Sequence, residues 1–162
     1  MVELKKITIL SDNMKECIAL DIAPEKKDYV WSNAITLAFA HRRFKRYSVA
    51  MECRAIYANG TMVGLISYNY YLEDLDFKEV CYRIRPVMID KNHLNKGYEE
   101  ASLRKILEEI QRKPHGEATA VFASYNPKEE DMAKIYEVVG FTKTNMKWQD
   151  PDDDDMITRM SL

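Results

Sequence analysis

The chain has 162 residues, 46% of them hydrophobic, 31% charged and 10% aromatic, the size and composition of one domain, which excludes a disordered or fibrous chain. Lys and Arg number 24 against 26 Asp and Glu, and without the acidic run of Asp150 and Asp152 to Asp155 the balance is 24 to 21. That is too even for the concentrated basic face that nucleic acid demands.

Cys17, Cys53 and Cys81 lie far apart without a C-x-x-C pair, so neither a disulfide framework nor a thiolate zinc site is readable and a reducing cytoplasm is the expected location. Met1 to Lys6 carries no apolar run before its charges, so no signal peptide is expected. The uncharged stretch from Ala55 to Leu72 approaches the length of a membrane span, but Asn59-Gly60 divides it. It reads as a hairpin, and no membrane partner is expected.

In chain order, Leu4 to Leu10 reads as a first strand and Asn13 to Leu20 as a short helix. Between Asp28 and Arg46 a longer helix is expected, with Val30, Ala34, Leu37, His41 and Phe44 on one stripe. Its terminal Arg42, Arg43, Lys45 and Arg46 suit the negative end of a helix dipole better than a nucleic-acid site. Glu52 to Tyr57 and Met62 to Tyr71 are strands joined across Asn59-Gly60, and Glu79 to Asp90 alternates as a third.

Leu103, Ile106, Leu107 and Ile110 mark a helix over Gly97 to Arg112, stopped by Pro114 and Gly116. Glu117 to Tyr125 is the next strand, and a helix after Pro127 carries Met132, Ile135, Tyr136 and Val139 on one face. Phe141 to Trp148 and Met156 to Met160 close the chain as strands around the acidic run, which reads as a solvated loop. A strand, helix and strand over Glu79 to Tyr125 most naturally makes two parallel neighbours. The fold class is therefore α+β, a single domain over 1–162 whose mostly antiparallel sheet has one central parallel pair.

Two features point to chemistry. Pro86 cannot donate to a ladder, so its strand bulges or pulls away there and frees the amides of Val87 to Ile89. Next come Met88-Ile89-Asp90, a loop, and Asn95-Lys96-Gly97-Tyr98 opening a helix. Strand, glycine-bearing loop and helix N-terminus make an anion site, because the first-turn amides lack intrahelical acceptors. A plain cap with Asn95 at N-cap accounts for the same residues. His41, His93 and His115 are scattered, and no metal site is expected.

With Val2 to Thr8, Val30-Trp31-Ser32-Asn33-Ala34, Thr36-Leu37-Ala38, Val63-Gly64-Leu65, Met88-Ile89-Asp90, Lys96-Gly97-Tyr98, and Ile135-Tyr136 followed by Gly140-Phe141, the sequence resembles the GNAT superfamily of acyl-CoA N-acyltransferases, within it the bacterial diamine or polyamine (spermidine/spermine) branch. The resemblance implies the GNAT fold with a splayed parallel pair, acetyl-CoA as acetyl donor, and a small primary amine, a diamine or polyamine, as acceptor. It implies that backbone groups of Val87, Met88 and Ile89 hold the acetyl carbonyl and pantetheine, and that Asn95, Lys96, Gly97, Tyr98, Glu99 and Glu100 hold the pyrophosphate. Tyr136 matches the tyrosine that protonates the departing thiolate; read from the residues alone it is equally a core tyrosine. A homodimer is expected too.

The sequence also departs from the family. Glu99 stands where relatives keep a tiny residue, Glu129 where they carry an asparagine that contacts CoA, and Phe39 where many carry a glutamate. The alternative is a binding or dimerisation module with a degenerate CoA loop. Glu73, Asp74 and Asp76 form a loop that faces either solvent or a cationic amine.

Overall fold

The computed structural model describes residues 1–28, 30–47, 51–72, 76–150 and 152–162, the side chains of 43–47 excepted. Glu73 and Asp74, and the side chains of Arg43, Lys45 and Arg46, thus lie outside the described residues.

The described residues form strands β1 (Val2–Lys6), β2 (Met51–Ala58), β3 (Thr61–Tyr71), β4 (Cys81–Ile84), β5 (Met88–Ile89), β6 (Ala120–Tyr125), β7 (Thr142–Lys143) and β8 (Met156–Ser161), and helices α1 (Met14–Ala19), α2 (Asn33–Tyr47), α3 (Tyr98–Ile110) and α4 (Glu130–Val138). One mixed sheet runs β1-β2-β3-β4-β6-β8-β7, with β5 also on β3. Asn59 and Gly60 both have positive φ, 51° and 82°, the backbone that a two-residue hairpin requires. β2 and β3 therefore pair antiparallel, from Ala58 with Thr61 to Met51 with Asn69. No helix among the described residues is long and apolar enough to cross a membrane.

The expected parallel pair is β4 with β6, and it is only three residues long: Cys81 with Ala120, Tyr82 with Val121, Arg83 with Phe122. α3 and α4 cover one face of the sheet, burying Leu103, Ile106, Ile110 and Met132 against Tyr68, Tyr82 and Val121. α1 and α2 cover the other, burying Cys17 and Leu37 against Ala55, Leu65 and Met88.

Several expected boundaries shift for local reasons. β1 ends at Lys6, and the Thr8 amide bonds Ser11 Oγ at 2.8 Å, turning the chain. α2 begins at Asn33 rather than Asp28; Val30 is buried ahead of it, while Ala34, expected on its apolar stripe, is exposed. The strand expected over Phe141 to Trp148 pairs only at Thr142 and Lys143. Beyond them the side chains of Thr144 and Trp148, bonded to the carbonyls of Ile157 and Asp155, hold the segment to the start of β8.

Candidate active site

The site begins where the strands part. β3 pairs with β4 from Tyr71 with Cys81 to Tyr68 with Ile84, then with β5 as Leu65 with Met88 and Gly64 with Ile89. Four residues separate Ile84 from Met88 and three separate their partners, so the strand carries one extra residue around Arg85-Pro86-Val87, a bulge. Pro86 fits there because it has no N–H to leave unpaired. Gly64 lets β5 lie close: a Cβ on it would meet the Met88 carbonyl oxygen at 2.2 Å.

After the bulge, β5 follows β3 and leaves β6. The Asp90 amide donates to the Val63 carbonyl at 2.8 Å, and since successive N–H groups of a strand point to opposite edges, those of Val87 and Ile89 face away from β3, toward β6. β6 continues to Tyr125 paired with β8 on its other edge. The freed amides foreseen at Val87 and Ile89 therefore border an open gap, while the side chains of Val87, Met88 and Ile89 are all buried.

The loop that follows is held by Asp90. Its Oδ2 accepts from the Asp21 amide at 2.8 Å and its Oδ1 from the Asn92 amide at 2.9 Å. Burial pushes the Asp90 carboxyl up, but these bonds outweigh it and hold it below the usual carboxylate range. α3 then starts differently from the plain cap: Gly97, not Asn95, is the N-cap, with φ 73° and no side chain to bond the first-turn amides. Asn95 itself has φ 59° and belongs to the loop. The amides of the first turn of α3, Tyr98 to Glu100, thus lack intrahelical acceptors.

In front of α3 runs a groove of about 850 Å³, closed on its far side by the first turn of α4 and by Glu25 and Lys26. Asn95, Gly97, Glu99 and Glu129 all line it, together with Lys128, Glu130 and Asp131. Glu99 is 8% exposed, so its carboxylate does not swing out into solvent. Glu129, the N-cap of α4, lies 3.9 Å from Lys26; burial raises its carboxyl more than the lysine lowers it. Other expected groups stand off: Lys96 Nζ bonds back to the Asn92 carbonyl at 3.2 Å, and Glu100 pairs with Arg104 at 2.9 Å. Tyr98 packs toward His93, which leaves only the backbones of these three for a ligand.

On the opposite face of the sheet is a smaller cavity of about 180 Å³ between α2, β5 and the end of β6, lined by Trp31, Asn33, Met88, Ser124, Asp153 and Asp155 among others. The acidic run, expected to be only a solvated loop, supplies part of this wall. Phe39 stands edge-on to Trp31, with centroids 5.5 Å apart. Asp76, the described member of the other acidic loop, is engaged by Arg83 at 3.5 Å and by the Gln149 amide at 3.3 Å. Nothing in the sequence tied Asn33 or Asp155 to the Pro86 bulge; only the folded sheet brings them together.

Tyr136 links the two hollows. It is 1% exposed, and its hydroxyl is buried without a hydrogen-bond partner. Burial, then the carboxylates of Glu129 and Asp155, push its phenol up, so it stays protonated. Glu129 lines the groove and Asp155 the smaller cavity, which sets the hydroxyl at the seam between them. Tyr125 and Phe141 pack against its ring at centroid distances of 6.0 and 5.4 Å.

No family model and no curated protein matches the sequence. Among solved structures the chain is similar to the aminoglycoside acetyltransferase AAC(6')-Ib in complex with coenzyme A, at 14% identity over 99% of this chain and 95% of that one, TM-score 0.72. It is also similar to the PaiA N-acetyltransferase from Thermoplasma acidophilum in complex with coenzyme A, at 12% identity over 100% and 99%, TM-score 0.65. A third is an acetyltransferase of the GNAT family from Bacillus cereus, at 16% identity over 99% and 97%, TM-score 0.64. The fold is the GNAT fold.

Proposed function

We propose that a chain with this fold and this seam transfers the acetyl group of acetyl-CoA to a primary amine of a small molecule, a diamine or polyamine in the finer reading, by direct attack of the neutral amine. One observation carries the reading: the buried, unpartnered hydroxyl of Tyr136 between an elongated groove and a small cavity. Such a group costs stability unless a ligand bonds it, and the thioester sulfur is the ligand that fits. Cytoplasmic location and a homodimer belong to the same proposal.

Acetyl-CoA would lie along the groove. The amides of residues 95–100 offer donors to its phosphates, as a helix N-terminus does. The amides of Val87 and Ile89, free of β3, are aimed across the gap where the acetyl oxygen would take up negative charge, and fixed donors there are a large term in acyl transfer. Tyr136 holds its proton and gives it to the sulfur as the C–S bond breaks. None of these steps requires a metal, and among the described residues no three His, Cys, Asp or Glu converge on a metal site.

A second reading, a CoA-free binding or dimerisation module, is favoured by the charge of the groove. Its wall carries Glu25, Glu99, Glu129, Glu130 and Asp131 against Lys26 and Lys128. Calorimetry with CoA and acetyl-CoA, followed by thiol release on a panel of amines, separates the two. Saturable binding and amine-dependent thiol release support the enzyme; no binding at low salt leaves the module.

A further inference from the structure

The smaller cavity contains an acceptor that the protein leaves unused. Asn33 is 3% exposed, and its Nδ2 donates to the Cys17 carbonyl at 2.7 Å. A carbonyl only accepts, so this bond fixes the amide's orientation and turns Oδ1 the other way. Oδ1 is buried with no partner, and Asn33 lines the cavity. A buried oxygen of this kind calls for an N–H or O–H from outside the chain.

Across the cavity stands Asp155. Its Oδ1 accepts from Asn126 Nδ2 at 3.4 Å and its carbonyl from Trp148 Nε1 at 3.1 Å, so the residue is anchored. Asp153 turns its Oδ1 to the Asp155 amide at 3.1 Å and lines the same wall. Burial first, then the carboxylates of Asp153, Asp154 and Glu129, push the Asp155 carboxyl up against the pull of Asn126. Negative charge is crowded here, and a cation would relieve it.

The cavity also has two guanidinium groups, and both are engaged by the protein. Arg83 lies 4.1 Å from the Trp148 ring centroid and pairs with Asp76, while Arg85 Nε bonds Asn69 Oδ1 at 3.1 Å. Trp31, 53% exposed at the wall, offers a ring to the methylenes of an alkylamine.

Resting on the acetyl-transfer reading, we propose that this cavity is the acceptor site, that the acceptor binds as a small cationic alkylamine, and that Asn33 Oδ1 with the carboxylates of Asp155 and Asp153 selects it. A volume of about 180 Å³ admits one aminoalkyl arm and keeps a bulky ring system at the mouth.

The test is calorimetric binding of 1,3-diaminopropane and of β-alanine to the free and the CoA-loaded protein, repeated with Asp155→Asn and Asp153→Asn, each checked by thermal melting. The diamine is expected to bind more tightly than β-alanine, to weaken roughly tenfold in Asp155→Asn and severalfold in the more exposed Asp153→Asn, and to weaken with salt. No binding of either probe, tighter binding of β-alanine, or diamine affinities unchanged in both variants would overturn the proposal. CoA titrated in parallel keeps the two readings apart. Diamine binding without CoA binding sinks acetyl transfer and keeps the cation site; CoA binding without diamine binding does the reverse.

Discussion

Replacing Tyr136 by Phe removes one oxygen and nothing else from a fully buried ring. In the free protein that hydroxyl has no hydrogen-bond partner, so the substitution gives up no bond and relieves the burial of an unsatisfied polar group, a cost of about 1–3 kcal/mol. Stability should therefore rise, and for a domain of this length about 2–4 °C in Tm accompanies each kcal/mol. Packing against Tyr125 and Phe141 stays in place. If the hydroxyl is the proton donor to the departing thiolate, turnover should fall by roughly 10²–10⁴-fold with acetyl-CoA affinity little changed. The assay pairs a thermal melt with steady-state thiol release on the same preparation. Stability and activity moving in opposite directions is the signature of a group held unsatisfied for a reaction. A variant that melts lower and keeps its rate per folded molecule would refute the reasoning and return Tyr136 to the core.

Glu99→Gln should tighten CoA binding: a carboxylate about 6 Å from a phosphate repels it by roughly 3 kcal/mol at an effective dielectric of about 20, and titrations at low and high salt should show the gain shrinking. Gly64→Ala puts a carbon 2.2 Å from the Met88 carbonyl oxygen, so the strand after the bulge must move; a stability loss of about 1–3 kcal/mol with weakened acetyl-CoA binding is expected from melts and calorimetry. The raised carboxyl of Glu129 favours the fold only when protonated, an advantage complete below its unfolded pKa and lost as pH rises through the folded one. Glu129→Gln should therefore stabilise at neutral pH and lose that advantage on acidification into the ordinary carboxylate range, as denaturant melts across pH will show. The amides of Val87 and Ile89 should exchange with solvent faster than those of Cys81 to Ile84 and become protected on addition of acetyl-CoA, which hydrogen exchange reads directly.

What could be read from the sequence was what depends on neighbours along the chain. The Asn59-Gly60 hairpin, the break at Pro86, the Gly97 loop and the apolar face of α4 each follow from a few adjacent residues whose backbone or period is restricted. The parallel pairing of β4 with β6 followed from the length of the intervening helical segment. Asn33 and Asp155 were not legible: more than a hundred positions separate them, and an asparagine opening a helix or an aspartate in an acidic run has an ordinary solvated role. Nor could the sequence say whether Glu99 faces solvent, because that depends on how α4 and the Pro24–Lys26 turn close the groove. The shortened strand after Phe141 was missed because side-chain bonds from Thr144 and Trp148 do the work that a ladder would have done.

The two hollows bear opposite relations to their acids. In the smaller one, carboxylates of the acidic run face an unused amide oxygen, and every one of these groups accepts, so a cation satisfies them together. Along the groove the acids face first-turn amides that donate, so an anion satisfies the amides while the carboxylates resist it. Acetyl-CoA binding there has to be carried by backbone donors and by apolar contact with Leu94, Met132 and Ile135, with Lys26 and Lys128 as the cations on the wall. Binding built in this way is weaker than at a groove lined by arginine, and it responds to salt differently. Added salt screens the repulsion from Glu99, Glu129 and Glu130 as well as the attraction of the lysines, so affinity for CoA should hold or rise with ionic strength over the range where affinity for a diamine in the smaller cavity falls. That divergence follows from the charge on the two walls alone, whatever the identity of the amine.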